Sequence, residues 1–177
     1  MRTEVSEKPL AKKKKNKRIF TNSLSPIHLA THLAPGPWQM HVTITSVEAG
    51  EGGCSVTVDT AWGSMEARWR SDAAPIPVIG SSYDAELAFG GEAPLVWGTD
   101  VVAVDEAESA AYSVASSGDG GLVMVASVED VDAESGATLL GFGNSKVMAS
   151  FGGDPLAVGT VVRVTASDGV ILYDSNI

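Results

Sequence analysis

The second half of the chain repeats landmarks of the first, in the same order. Ser46-Val47-Glu48 recurs as Ser127-Val128-Glu129, Trp62-Gly63 as Phe142-Gly143, and Trp69 as Phe151. Pro77-Val78-Ile79-Gly80 answers Pro155-Leu156-Ala157-Val158-Gly159. Tyr83-Asp84-Ala85-Glu86-Leu87 answers Val162-Arg163-Val164-Thr165-Ala166, and Leu95-Val96-Trp97 answers Ile171-Leu172-Tyr173. Ser46 and Gly80 are 34 positions apart, Ser127 and Gly159 32, so the landmarks keep step. A unit of about 55 residues buries too little surface to be comfortable alone, so two copies are expected to pack as one body.

The units read as strands. Met40, Val42 and Ile44 alternate with His41, Thr43 and Thr45, the period of a half-buried strand. Val56, Val58, Thr60 and Trp62 share one face of the next run, and Gly63-Ser64 interrupts it as a turn or bulge would. Met65, Ala67 and Trp69 resume an inward face and leave Glu66, Arg68 and Arg70 outside. Tyr83, Ala85, Leu87 and Phe89 form a fourth alternating run, and Leu95-Val96-Trp97 a fifth. The second copy reads as strands over 122–128, 138–142, 146–151, 160–166 and 170–173. Nineteen glycines and a charged content of 19% suit short strands and tight turns better than long surface helices.

The expected fold is all-β: two similar five-stranded small barrels or sheets packed together, preceded by a short helix and a flexible basic arm. Residues 1–24 are the arm. Residues 25–37 hold the helix, capped by Ser25-Pro26 and ended by Ala34-Pro35-Gly36-Pro37. Repeat one spans 38–98, a linker 99–120, and repeat two 121–177. Within the linker, residues 101–104 and 112–115 are apolar enough to pair with a sheet.

Five short strands per unit, with Pro-x-x-x-Gly leading into the fourth, resemble a small OB-type barrel. The ending Gly159-Thr160-Val161-Val162-Arg163-Val164 with Val170-Ile171-Leu172-Tyr173 is similar to the close of such barrels, including the oxyanion-binding TOBE-like variety. The resemblance implies a barrel in each repeat. Such barrels usually carry a helix between the third and fourth strands, whereas here only 70–77 and 152–154 separate them.

Charge divides the chain. Residues 1–18 hold eight basic side chains against Glu4 and Glu7, a balance of +6; the whole chain is −10, so residues 19–177 carry −16. That body has only Arg68, Arg70, Lys146 and Arg163 as basic groups. Affinity for nucleic acid comes largely from Lys and Arg neutralising phosphates, so the body is expected to repel it and to attract a basic protein surface. Cys54 is the only cysteine, which rules out an intrachain disulfide and a thiolate metal cluster. No apolar stretch follows the basic run as in a secretory signal, and none approaches a membrane span, so the expected location is cytoplasmic.

No motif carries catalysis. His28 and His32 lie four apart on the expected helix, but two imidazoles make an incomplete zinc site. Asp130-Val131-Asp132-Ala133-Glu134 opens like a calcium loop, yet Ser135 and Gly141 stand where that loop needs Gly and Glu. Gly-x-Ser-x-Gly is absent, and neither glycine cluster, 50–53 or 118–121, continues into Gly-Lys-Ser/Thr. No enzyme activity, metal or cofactor is expected. The residues expected to meet a protein partner are Asp130, Asp132 and Glu134 on a turn, with Arg68 and Arg70 beside Trp69. Lys12, Lys13, Lys14, Lys15, Lys17 and Arg18 could instead hold nucleic acid. The favoured expectation is an acidic inhibitor or immunity-type protein that covers a basic partner. A nucleic-acid-binding protein using the arm, and a structural or virion assembly subunit, are the alternatives.

Overall fold

The structure, a computed structural model, describes residues 38–50, 53–70, 76–105, 111–118 and 120–174. The arm and the short helix expected over 25–37 lie outside these residues, as do His28 and His32. Every regular element among the described residues is a strand. In chain order they are β1 (Met40–Gly50), β2 (Gly53–Thr60), β3 (Gly63–Arg70), β4 (Ser82–Phe89), β5 (Leu95–Val96) and β6 (Val101–Ala103), then β7 (Ser113–Ser116), β8 (Leu122–Val131), β9 (Ala137–Phe142), β10 (Ser145–Gly152), β11 (Val161–Ala166) and β12 (Val170–Asp174).

The first sheet is a closed barrel in the order β1-β2-β3-β12-β4, with β4 returning to β1. β12 lies parallel to β3, with Leu172 beside Trp69, and antiparallel to β4, with Leu172 beside Leu87. The second sheet runs β5-β10-β9-β8-β11-β6, and β7 adds to β8. Its two ends are consecutive in the chain. β5 lies parallel to β10, with Leu95 beside Phe151, and β6 lies antiparallel to β11. Segment 95–103 therefore does for the second sheet what β12 does for the first, interrupted by a turn at 98–100.

The closing strands are exchanged. The segment that follows β4 of the first sheet completes the second, and the segment that follows β11 of the second completes the first. The first barrel is thus discontinuous in sequence, with β5 to β11 inserted between its fourth and fifth strands. The 98/99 boundary expected between repeat one and the linker falls between β5 and β6, both in the second sheet, and the stretch 99–120 contains β6 and β7.

Hydrogen bonds fix the correspondence of the copies. Gly80 N–H donates to the Ile44 carbonyl at 2.8 Å, and Gly159 N–H to the Val128 carbonyl at 2.7 Å. Each first strand slips register just beyond that point, between Ile44 and Ser46 and between Val128 and Asp130. Ile44 therefore corresponds to Val128, and Ser46-Val47-Glu48 to residues 130–132, three positions from the triplet matched in sequence. Trp69 corresponds to Phe151, and Tyr83 to Val162, as the sequence aligns them. Trp62 and Phe142 are not equivalent. Trp62 lies in the turn between β2 and β3, half-buried rather than enclosed, and packs edge-on against the buried Phe142 with ring centroids 5.1 Å apart.

Alternation within each strand gives one continuous core. Met40, Val42, Ile44, Met65 and Leu172 fill the first barrel, and Leu122, Met124, Leu140, Phe142 and Val164 the second, with Trp69 and Phe151 buried at matching places. β7 joins the sheets: Val114 N–H donates to the Trp62 carbonyl at 3.1 Å, and Glu66 N–H to Ser116 Oγ at 2.6 Å.

Two glycines should respond in opposite ways to Ala. A Cβ on Gly63, whose φ is 138°, would meet the Val114 backbone carbonyl, which cannot yield without moving β7. Gly63→Ala should cost more than about 2 kcal/mol. A Cβ on Gly141 would meet the Glu129 side chain from its Cγ to its carboxylate, which spans β9 to reach Lys146 Nζ at 2.7 Å. Glu129 is a flexible side chain that can rotate away at the expense of a half-buried ion pair, so Gly141→Ala should cost about 1 kcal/mol, less than Gly63→Ala. Urea denaturation of both variants checks the contrast.

Candidate functional site

Pairing aligns outward side chains across the first barrel in two rows. Glu48 faces Ser55, Ser55 faces Arg68, and Arg68 faces Ile171, one residue from each of β1, β2, β3 and β12. Ser46, Thr57 and Glu66 form the neighbouring row. Ser46 Oγ donates to Thr57 Oγ1 at 2.8 Å. Val56 and Ala67 between the rows point inward and are buried, so the rows form the outer face.

This face is the floor of a cleft of about 810 Å³. Its rim is residues 90–93, which follow β4, and Asp168-Gly169, which precede β12, with Gly120 beside them. Gly90 N–H donates to the Gly169 carbonyl at 2.8 Å and ties the two rim segments together. Strand exchange makes this rim, because it brings the ends of both connections between the barrels to one place.

Four carboxylates line the cleft, Glu48, Glu66, Glu92 and Asp168, against one cation, Arg68. The ion pairs of His41 with Asp84 and of Lys146 with Glu129 lie elsewhere, and neither joins Arg68 to any of the four. All five charged groups are exposed, and the excess of carboxylates gives this face a negative potential that attracts cations and repels phosphate.

Of the residues expected from sequence, Arg68 lies in the cleft floor. Arg70 is exposed two positions further along β3, beside Tyr173 of β12 and outside the cleft lining. Asp130, Asp132 and Glu134 lie in the second sheet, at the β8–β9 hairpin. There Asp132 Oδ1 accepts from Glu134 N–H at 3.0 Å and its Oδ2 from Ser135 Oγ at 2.7 Å, while Asp130 Oδ1 accepts from Val131 N–H at 2.9 Å. Asp130 and Asp132 hold in the second sheet the places of Ser46 and Glu48 in the first. The rest of that matching face is Ala137, Leu139, Met148 and Ser150, without charge. Lys12, Lys13, Lys14, Lys15, Lys17 and Arg18 lie outside the described residues.

Burial pushes the Cys54 thiol above its ordinary value, against a smaller lowering by a backbone hydrogen bond, the direction opposite to thiolate activation. Among the described residues no three His, Cys, Asp or Glu side chains stand together to hold a metal, and no helix is long and apolar enough to cross a membrane. No family model, curated protein or solved structure matches the chain.

Proposed function

We propose that this is a non-catalytic binding protein of the inhibitor or immunity type, which receives a basic protein surface in the cleft of its first barrel. The observation that carries the reading is the cleft itself, with four carboxylates, one arginine and no ion pair among them. Its position supports the reading. The closed order, with a fifth strand parallel to the third and antiparallel to the fourth, is that of an OB-type barrel. Barrels of that type bind over strands two and three, beside the loop joining strands four and five. Nucleic acid, a common ligand of that face, is disfavoured here by charge.

Affinity purification from the native cell, with mass spectrometry of the retained protein, supplies the partner. Stopped-flow association then tests the site. Glu48→Lys with Glu66→Lys should lower the on-rate at least about tenfold at low salt, and physiological salt, with its screening length of about 8 Å, should shrink the difference. Reversal at Asp130 and Glu134 should have a smaller effect, because these lie on the other sheet. A salt-independent on-rate, or retention of nucleic acid in place of protein, would overturn the reading.

A further inference from the structure

We propose that Asp168-Gly169, in the connection between β11 and β12, is a self-modifying site: it forms isoaspartate without an enzyme, and the change loosens the rim of the cleft. The site stands whatever the cleft receives.

The reaction needs only this pair and water. The Gly169 main-chain nitrogen attacks Cγ of the protonated Asp168 carboxyl. A C–N bond forms, the nitrogen gives up its proton, and the carboxyl hydroxyl leaves as water. The product is a five-membered succinimide, whose nitrogen is bonded to both Cγ and the Asp168 main-chain carbonyl carbon. Water then opens the ring. Breaking the nitrogen–Cγ bond restores aspartate. Breaking the other bond leaves isoaspartate, in which the main chain runs through Cβ and Cγ, one atom longer, beside a free α-carboxylate. Glycine favours the attack, because no Cβ crowds its nitrogen.

Neither reacting group is tied elsewhere. Asp168 is exposed in the turn. Its carboxylate rests against the Gly91 main chain, where a Cβ would collide with it, and makes no hydrogen bond or ion pair among the described residues. Gly169 has a φ of 74°, and its N–H donates to no carbonyl among the described residues. The chain holds one other Asp-Gly step, 119–120. There the attacking group is engaged, since the Gly120 N–H donates to the Ser117 carbonyl at 3.1 Å. A hydrogen bond that must first break slows attack about fivefold.

Position gives the reaction its consequence. The Gly169 carbonyl accepts from Gly90 N–H at 2.8 Å, the bond that ties the two rim segments. Val170, next in the chain, is buried and begins β12, which β3 and β4 hold along both edges. β12 cannot shift to absorb an inserted main-chain atom, so the turn takes it up. The Gly90–Gly169 bond is then lost, and residues 90–93 part from Asp168-Gly169.

Ageing the full chain for several weeks in warm, neutral buffer tests the proposal. Electron-transfer fragmentation, which tells isoaspartate from aspartate, is read on tryptic peptide 164–177 and glutamyl-protease peptide 109–129. Isoaspartate at position 168 should exceed that at 119 by about fivefold. In concentrated urea, which removes the Gly120 hydrogen bond, the two sites should approach one rate. Hydrogen exchange of the aged chain should show the Gly90 amide losing protection in step with isoaspartate at 168. Asp168→Glu keeps a carboxylate but would need a six-membered ring, so after the same ageing its Gly90 amide should stay protected. Asp168→Asn, which expels ammonia in place of water, should form isoaspartate faster than wild type and lose Gly90 protection sooner. Circular dichroism of both fresh variants separates these outcomes from loss of fold. Isoaspartate at 119 equal to or above that at 168 in the folded chain would overturn the proposal, as would its absence at 168. Gly90 protection that persists in the isoaspartyl chain would overturn it too, because the rim would then be indifferent to the change.

Discussion

Deleting residues 170–177 should open the first barrel and leave the second sheet folded. Amides of β1 to β4 should lose their protection from hydrogen exchange, while those of β8 to β11 keep theirs. β12 is the last strand in sequence, yet it lies between β3 and β4, bonded along both edges. It carries Leu172, fully buried, and Val170, 3% exposed, into the core. Each such side chain is worth about 1.5–3 kcal/mol of burial. The deletion also strips both flanking ladders, and an open, apolar strand edge invites aggregation. Together these losses compare with the whole margin of a small domain, about 5–15 kcal/mol. The second sheet keeps every strand it uses, because segment 95–103 supplies the strands at both of its ends. Were the halves successive independent barrels, the same deletion would expose β10 and β11 and spare β1 to β4. Exchange measured strand by strand separates the two outcomes.

Strand phase was legible in the sequence because side-chain period is a local property. Met65, Ala67 and Trp69 face inward and Glu66, Arg68 and Arg70 outward, as alternation requires. Exchange of the closing strands was not legible. Leu172 is apolar and inward whichever barrel it completes, so its pattern carries no record of its neighbours. The Ser-Val-Glu match misled because the register slips after Ile44 and after Val128 fix the true correspondence, and an extra residue in a strand leaves no compositional mark. The cleft was half legible. Glu66 and Arg68 were outward by alternation, but Glu92 and Asp168 sit in connections far apart in sequence, and only the exchange brings them to one rim. The turn charges Asp130 and Glu134 are exposed, as a turn position implies, while the bonds that Asp130 and Asp132 make within the hairpin depend on backbone geometry that sequence does not display.

Trp69 should divide two substitutions sharply: Trp69→Ala should cost about 3–5 kcal/mol, and Trp69→Phe within about 1 kcal/mol of nothing. Trp69 is 5% exposed, paired with Cys54 on β2 and Leu172 on β12, and edge-on to Tyr83 at 5.1 Å. Alanine leaves a cavity where three strands meet, and the surrounding barrel is closed and can collapse only in part. Phenylalanine loses part of the ring volume but removes a liability. The indole Nε1–H is buried without an acceptor, a state that costs about 1–3 kcal/mol. The lost packing and the relieved donor are of similar size and opposite sign. The second copy supplies a precedent: Phe151 occupies the corresponding place, buried and edge-on to Trp97 at 5.0 Å. Urea melts followed by far-ultraviolet circular dichroism, which does not depend on the indole being replaced, measure both changes. If Trp69→Phe costs as much as Trp69→Ala, the indole N–H is bonded in solution and the packing argument for the first barrel fails with it.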